Sequence, residues 1–363
     1  MAKPMNFTGS LTQNTVLATL YNMIIGQEVF SDNISIKGTL AEEFRVDGTL
    51  YGDTKIYTAT DVGTIYDFPD TTKTLLSKTQ PAEPKVQAVK IDTFKQTAIT
   101  VDGVKLKQAF MSADIYGAFV GVIVNWLRDS MRVLNMTLIN SFIGTLITAA
   151  ENAEIDVDFT KYGATTGINV RDLRSYEAEI IGEEIANVMV DLEDATRDYN
   201  DYGFLRSYDV SDFRVIWNKA WANRIKHISL PKIFHKEDVM GKALEGKTIN
   251  SRYFGDILTT AGTADGLTVR TLVDKVIAGK QYFPGDLLPA NTAYAKDTAY
   301  KANDKLICKI VHKRSIPFMS AIVVQTEFFN PKDLDRNNYL TWGYSEPTYL
   351  ANYPVITLKD VTV

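Results

Sequence analysis

The chain has 363 residues, of which 45% are hydrophobic and 23% charged, with 22 glycines and 11 prolines. That composition can bury a core in two or three lobes of ~150 residues, and it excludes a disordered, collagen-like or Pro-rich low-complexity chain. A net charge of −5, a single cysteine (Cys308) and three histidines exclude nucleic-acid binding by bulk charge, a disulfide framework and a Cys-rich zinc module.

Residues 1–45 mix Thr, Asn, Gly and Ser with short apolar clusters. Val16, Leu20 and Met23 have helical spacing, but the rest offers no core face, so a neighbouring molecule is expected to hold it. The first ten residues lack an apolar run of signal-peptide length. The longest apolar stretch, 115–127, is broken by Asn125 and falls short of the ~18 residues of a membrane helix. Synthesis in the cytosol, without a membrane segment, is the expectation.

Residues 46–101 read as β structure. Asp47-Gly48 is a turn pair, and 55–58 and 86–101 are rich in β-branched and aromatic residues. Between them lies a polar excursion through Phe68, Pro69 and Lys73 that closes at Pro81 and Pro84. Loops of ~20 residues are usually functional or held by a partner.

The strongest helical signal covers 112–150, with Ser112 as N-cap. Phe119, Ile123, Trp126, Leu127, Val133, Leu134, Leu138, Phe142 and Leu146 hold one face, opposite Arg128, Asp129 and Arg132. At ~1.5 Å per residue such a helix is a spine, well beyond the usual ~11–12 residues. A second amphipathic helix is predicted over 175–200. From Glu177 to Asp201 it carries nine acids against Arg197 alone, a net −8 that leaves about +3 for the remainder; a solvated acidic face is expected. A buried strand follows over 213–217, then a short helix capped by Asn218. Residues 262–312 read as a small β insertion, and 321–326 and 354–358 as strands separated by a break at Pro331.

Gly241, Gly246, Lys247 and Thr248 satisfy the G-x-x-x-x-G-K-[ST] pattern, whose loop cradles phosphates when a buried strand feeds it and a helix follows. The preceding His235-Lys236-Glu237-Asp238 is charged, and Ile249-Asn250-Ser251 opens a helix poorly, so a plain turn is expected. His227 and His235 have no cysteine near them, and no histidine precedes residue 227 to complete a di-iron pattern. Cys308 sits among Leu306, Ile307 and Ile310 as a small hydrophobe. No catalytic, cofactor-binding or metal residues are expected.

The order of elements, together with 85–92 leading into 94–99, 106–110 before the spine helix, and 336–344 ending in 353–356, resembles the tailed-phage major capsid proteins of the Hong Kong-97 type, those of small short-tailed phages above all. The resemblance implies an α+β fold with an N-arm (1–45), an E-loop hairpin (46–101), a P-domain with the spine helix (102–170 and 336–363) and an A-domain (171–335) carrying the β insertion (262–312). It implies a structural protein, not an enzyme, that self-assembles as hexamers and pentamers into an icosahedral virion shell around double-stranded DNA. Its implied partners are other copies, a separate scaffolding protein, a portal protein, and packaged DNA bound without sequence specificity. Ile56, Tyr57, Phe68, Lys73, Lys78 and Val89 of the hairpin are then expected between subunits, and Phe119, Ile123, Trp126 and Leu134 in the P-domain core. The competing readings are a two-domain P-loop nucleotide-binding enzyme and a tail or adaptor ring protein.

Overall fold

The computed structural model describes residues 39–46, 54–65, 80–102, 113–163, 167, 169–226, 246–274, 276–277, 279–333 and 335–362, with backbone only at 113–121, 123–124, 170–171 and 321–323. The helically spaced Val16, Leu20 and Met23, the Asp47-Gly48 turn, the Ser112 cap, His227 and His235 lie outside the described residues. Among the described residues four α-helices run in chain order: α1 (Leu40–Glu43), α2 (Ala113–Thr145), α3 (Val170–Glu193) and α4 (Lys219–Lys226). The strands are β1 (Arg45–Val46), β2 (Thr54–Ala59), β3 (Lys85–Asp102), β4 (Glu154–Val157), β5 (Phe213–Asn218), β6 (Lys247–Ile249), β7 (Gly255–Ile257), β8 (Gly262–Thr263), β9 (Thr268–Val269), β10 (Ala293–Tyr294), β11 (Ala299–Ala302), β12 (Leu306–His312), β13 (Phe318–Asn330), β14 (Asp335–Ser345) and β15 (Val355–Asp360). The chain forms the mixed α+β fold that the resemblance implies.

Two compact units share these elements. One contains Thr93–Val133 and Ala321–Tyr344, the other Gly38–Asp92, Leu134–Ser320 and Ser345–Val363. The larger unit is organised by a five-stranded sheet of order β4-β15-β12-β5-β6. β12 runs antiparallel to both β15 and β5, while β4 and β6 flank them in parallel. All seven residues of β12 are buried, so both faces of this central strand are covered. Ile181, Ile185, Val188 and Leu192 of α3 join Trp221 and Ile225 of α4 in one core with Val215, Cys308, Ile310, Ile356 and Leu358 of the sheet. Asn218 caps α4 as expected, its Oδ1 accepting the Ala220 N–H at 3.1 Å.

Three points of the structure bear on the expectations. First, the strands expected as one insertion over 262–312 divide differently, from Gly255 at the start of β7 to Ala302 at the end of β11. The sheets β7-β11-β9 and β8-β10 enclose a separate core of Ala264, Leu267, Val269, Leu288 and Ala299, but β12 belongs to the main sheet. Second, β4 and β15, from the expected P-domain, share one sheet with β5 and β12, from the expected A-domain. Third, the acids of α3 are not all solvated. Glu177 is buried beside Arg224, with which it forms an ion pair, and burial raises its pKa despite that partner. Glu183 and Glu184 engage Lys161 at 3.3 and 2.7 Å. The helix itself covers Val170–Glu193 and ends before the predicted 200, where Asp194 turns the chain by accepting the Ala195 N–H at 2.8 Å.

In the smaller unit the far half of β3 lies beside β14, which lies beside β13. Gln96 donates to Thr341 at 2.9 Å and Thr100 to Asn337 at 2.6 Å across β3 and β14. Helix α2 passes from this unit into the larger one. Its stripe is set by Leu127 (1% exposed), Leu134, Leu138 and Phe142, all buried. Leu134 is a core residue as expected. Trp126 is not: it is 51% exposed, because it sits about 100° around the helix from Leu127 and off the stripe. The side chains of Phe119 and Ile123 lie outside the described residues.

Candidate inter-subunit surface

The β2–β3 hairpin pairs Ile56 with Ala88, Thr58 with Val86, Tyr57 with Gln87 and Lys55 with Val89. Residues directly opposite in an antiparallel pair share a face, so the hairpin has two distinct sides. On one side stand Ile56 (66% exposed) and Val86 (61% exposed) with Ala88 between them. On the other, Val89 is only 2% exposed and Ile91 is fully buried. Ile56 is thus exposed on the outer side of the hairpin. Val89 is a core residue of its own subunit, because odd-numbered positions of β3 face inward here, and its expected place between subunits is corrected. Tyr57 is half-buried on the inner side, and its phenol is raised by burial and by nearby Tyr353. Phe68, Lys73 and Lys78 lie outside the described residues.

The inner side is tied to the rest of its subunit by polar contacts that strand patterning does not reveal. Gln87 donates through Nε2 to the Tyr349 carbonyl at 2.6 Å and accepts the Ala351 N–H on Oε1 at 3.1 Å, imitating a neighbouring strand. Asp61, just past β2, accepts Arg197 Nη1 at 2.6 Å and the amides of Leu205 and Val62 at 2.9 Å each. The Arg197 hydrogen bond, followed by the Leu205 amide, holds its carboxyl down at about 2. Arg206 Nη2 donates to the Thr60 carbonyl at 2.5 Å. Between hairpin and body lies a small cleft of about 80 Å³, lined by Tyr57, Gln87, Tyr202, Leu350, Asn352 and Tyr353 among others. The hairpin base is therefore anchored in its own subunit, and its apolar outer side is left open. The sequence signal for that side was the alternation Ile56/Thr58 against Val86/Ala88; nothing marked Asp61 or Gln87 as anchors.

Of the nucleotide-binding pattern only 246–248 lie among the described residues, and these do not have the motif's geometry. Lys247 and Thr248 lie in β6, parallel to β5, whereas the motif requires them to open a helix. Lys247 Nζ is 2.6 Å from Glu43 Oε2, and Arg214 Nε is 2.9 Å from Glu43 Oε1. Burial opposes the Glu43 charge, but hydrogen bonds from Lys247 and Arg214 outweigh it and keep the carboxyl below its ordinary value. Gly246 is required by close packing, since a Cβ there would stand 1.7 Å from the Val215 carbonyl oxygen. Cys308 is fully buried, and burial pushes its thiol pKa upward, away from reactivity. Among the described residues no group of His, Cys, Asp and Glu is arranged to hold a metal, and no helix is long and apolar enough to cross a membrane.

Comparison with known proteins matches residues 5–344 to the family model of the Phi29-like phage major capsid protein. No curated protein matches by sequence. Among solved structures, a chain in the capsid structure of Staphylococcus phage Andhra superposes with a TM-score of 0.63 at 11% identity, covering 92% of this chain and 87% of that one. A chain in the structure of the head fiber and inner core protein gp22 of native bacteriophage P68 superposes with a TM-score of 0.56 at 12% identity, covering 92% of this chain and 88% of that one.

Proposed function

The chain belongs to the Phi29-like phage major capsid protein family, and from that premise we propose how it builds its shell. It is a structural protein of the virion that assembles in many copies, not an enzyme. In our reading the shell is icosahedral, made of hexamers and pentamers, and encloses double-stranded DNA bound without sequence specificity. The 46–101 hairpin serves as the E-loop that lies on an adjacent copy, and 1–45 as an N-arm. Helix α2 is the spine of the subunit. A separate scaffolding protein and a portal protein complete assembly, after synthesis in the host cytoplasm. The observation that carries this reading is the two-sided hairpin. Its inner side is fixed at Gln87 and Asp61, and its outer side presents Ile56 and Val86 to solvent. Exposed apolar clusters of this kind mark association surfaces.

Electron microscopy of the full chain expressed with its neighbouring phage genes tests the proposal. Closed shells are the expected product. Small rings alone would favour the tail or adaptor reading, and a persistent monomer would overturn assembly. The nucleotide-enzyme reading requires ATP or GTP binding that Lys247→Ala abolishes; the strand position of Lys247 and its Glu43 partner speak against it.

A further inference from the structure

His312, the last residue of β12, is a buried histidine with a specific set of neighbours. Its ring stacks on Tyr353 with centroids 4.5 Å apart and planes 15° apart, and it meets the edge of Phe213 at 5.3 Å. Tyr208 flanks it at 5.9 Å. Nδ1 accepts the Arg314 backbone N–H at 3.1 Å, so the neutral ring carries its proton on Nε2. The charged groups facing it are Asp212, 3.9 Å from Nε2 on the turn before β5, and Lys313 and Arg314 on its own turn.

The loop 349–353 has His312 on one side and the hairpin on the other. Tyr353 supplies the stacking ring, and Leu350 donates its N–H to the Ser315 carbonyl at 2.6 Å. Ser315 in turn bonds the His312 carbonyl through both its amide and its hydroxyl, at 2.9 and 2.7 Å. The same loop offers Tyr349 O and Ala351 N to Gln87, and its Leu350 and Tyr353 line the cleft against Tyr57. Val89 and Ile91 are buried beside these contacts, and Asp61 and Thr60 hold the end of β2 to Arg197, Leu205 and Arg206, so the loop governs the Gln87 attachment alone.

We propose that His312 is an acid-sensitive pin: protonating its ring displaces the 349–353 loop and breaks its two hydrogen bonds to Gln87, so that the Gln87 stretch of β3 loosens while Asp61 still holds the end of β2. The proton must go to Nδ1, which then points an N–H at the Arg314 N–H in place of an acceptor. It also puts a cation beside Lys313 and Arg314, with Asp212 the one carboxylate among the groups facing the ring. Burial, the largest influence, holds the ring pKa near 4, whereas a released imidazole titrates near 6.5. Acid therefore favours the open form. The consequence for shells rests on reading the hairpin as an inter-subunit element, but the pin itself is a property of one subunit.

The test is hydrogen exchange of the free full-length subunit at pH 7 and pH 5, expressed as protection factors for the amides of Leu350, Ala351 and 85–90. Release of a group titrating near 4 when held and near 6.5 when free should raise opening about twentyfold between these pH values. β5 and β12 should keep their protection. The opening should lose its pH dependence in His312→Gln, whose amide oxygen can still accept from Arg314, and in His312→Phe, which keeps the stack. The ring of His312 followed by carbon-13 NMR in the unaltered protein should stay neutral at pH 6. Equal protection at both pH values, the same opening in His312→Gln, simultaneous loss of β5 and β12, or a ring that titrates near 6.5 in the folded subunit would each overturn the pin. Shell assembly is scored separately, so a failure of the capsid reading leaves the exchange result standing.

Discussion

The ammonium of Lys309, in the fully buried central strand β12, donates to the carbonyl of Leu146, the residue that follows helix α2. A helix leaves its last carbonyls without intrahelical partners and its C-terminus partly negative. Arg270 meets the same end, its Nε donating to Thr145 Oγ1 at 2.9 Å and its guanidinium lying over Phe142 at 5.3 Å. A buried lysine and a half-buried arginine thus fasten the end of the spine helix to the sheet and to the insertion.

This arrangement predicts an alkaline gain in stability. Burial is the main force on Lys309 and lowers its pKa to about 7; Glu154 and Asp256 resist the fall, and Arg270 adds to it. Unfolded, the same lysine titrates near 10.4. Between those values the unfolded chain binds the extra proton, so stability rises with pH across the window, by at most about 1.4 kcal/mol per pH unit. Below pH 7 both states are charged and this contribution has no slope. Thermal melting of the protein and of Lys309→Met from pH 7 to 9 checks it: the difference between them should change with pH in that sense. Parallel curves would mean that Lys309 keeps an ordinary pKa.

The spine helix separates Leu127 from Trp126. Leu127→Ala removes a buried side chain and should cost about 2–5 kcal/mol. Trp126→Ala should change subunit stability by no more than about 1 kcal/mol, since half of the ring is already in solvent. Denaturant unfolding of both variants decides. A large loss in the tryptophan variant would place Trp126 back in the core.

Gln87 is predicted to matter more than its surface-strand position suggests. Gln87→Ala leaves Tyr349 O and Ala351 N without their partner and should cost about 1–3 kcal/mol. The loss should appear first as faster exchange in 85–90. Gln87→Leu of similar size should not restore it. If both variants exchange at the original rate, the double hydrogen bond is not the anchor.

How much of this was legible in the sequence depends on the kind of force involved. Period-2 and period-3.6 patterns located β3, β5, β12, α2 and α3, because burial acts on local spacing. They misplaced Trp126 by one helical step, since an amphipathic wheel with a broad apolar side does not fix its own rotation. They also joined 305–311 to the insertion, because a fully buried strand looks the same wherever it pairs. Long-range polar contacts left no trace: Asp61 with Leu205, Gln87 with Tyr349, Glu177 with Arg224 and Lys309 with Leu146 each join residues far apart in the chain. The alternation along the hairpin marks a surface, but the supports of its inner side are side chains bonded to distant backbone, which local spacing does not encode.

The outer side of that hairpin gives the most direct test of assembly. Ile56 and Val86 are exposed and stand diagonally across β2 and β3, so a charge at Ile56 meets solvent in the free subunit and costs little there. Ile56→Lys should leave far-UV circular dichroism and melting nearly unchanged. Against an apolar neighbour the same ammonium would be desolvated without a partner, which is far more costly than a lost methyl contact. Shells should then fail to close, or open at lower denaturant than those of the unaltered protein. Ile56→Val, which keeps the surface apolar, should assemble normally. Normal shells from Ile56→Lys, formed at the usual rate and with the usual resistance, would mean that this side of the hairpin faces solvent in the virion and that subunits meet elsewhere.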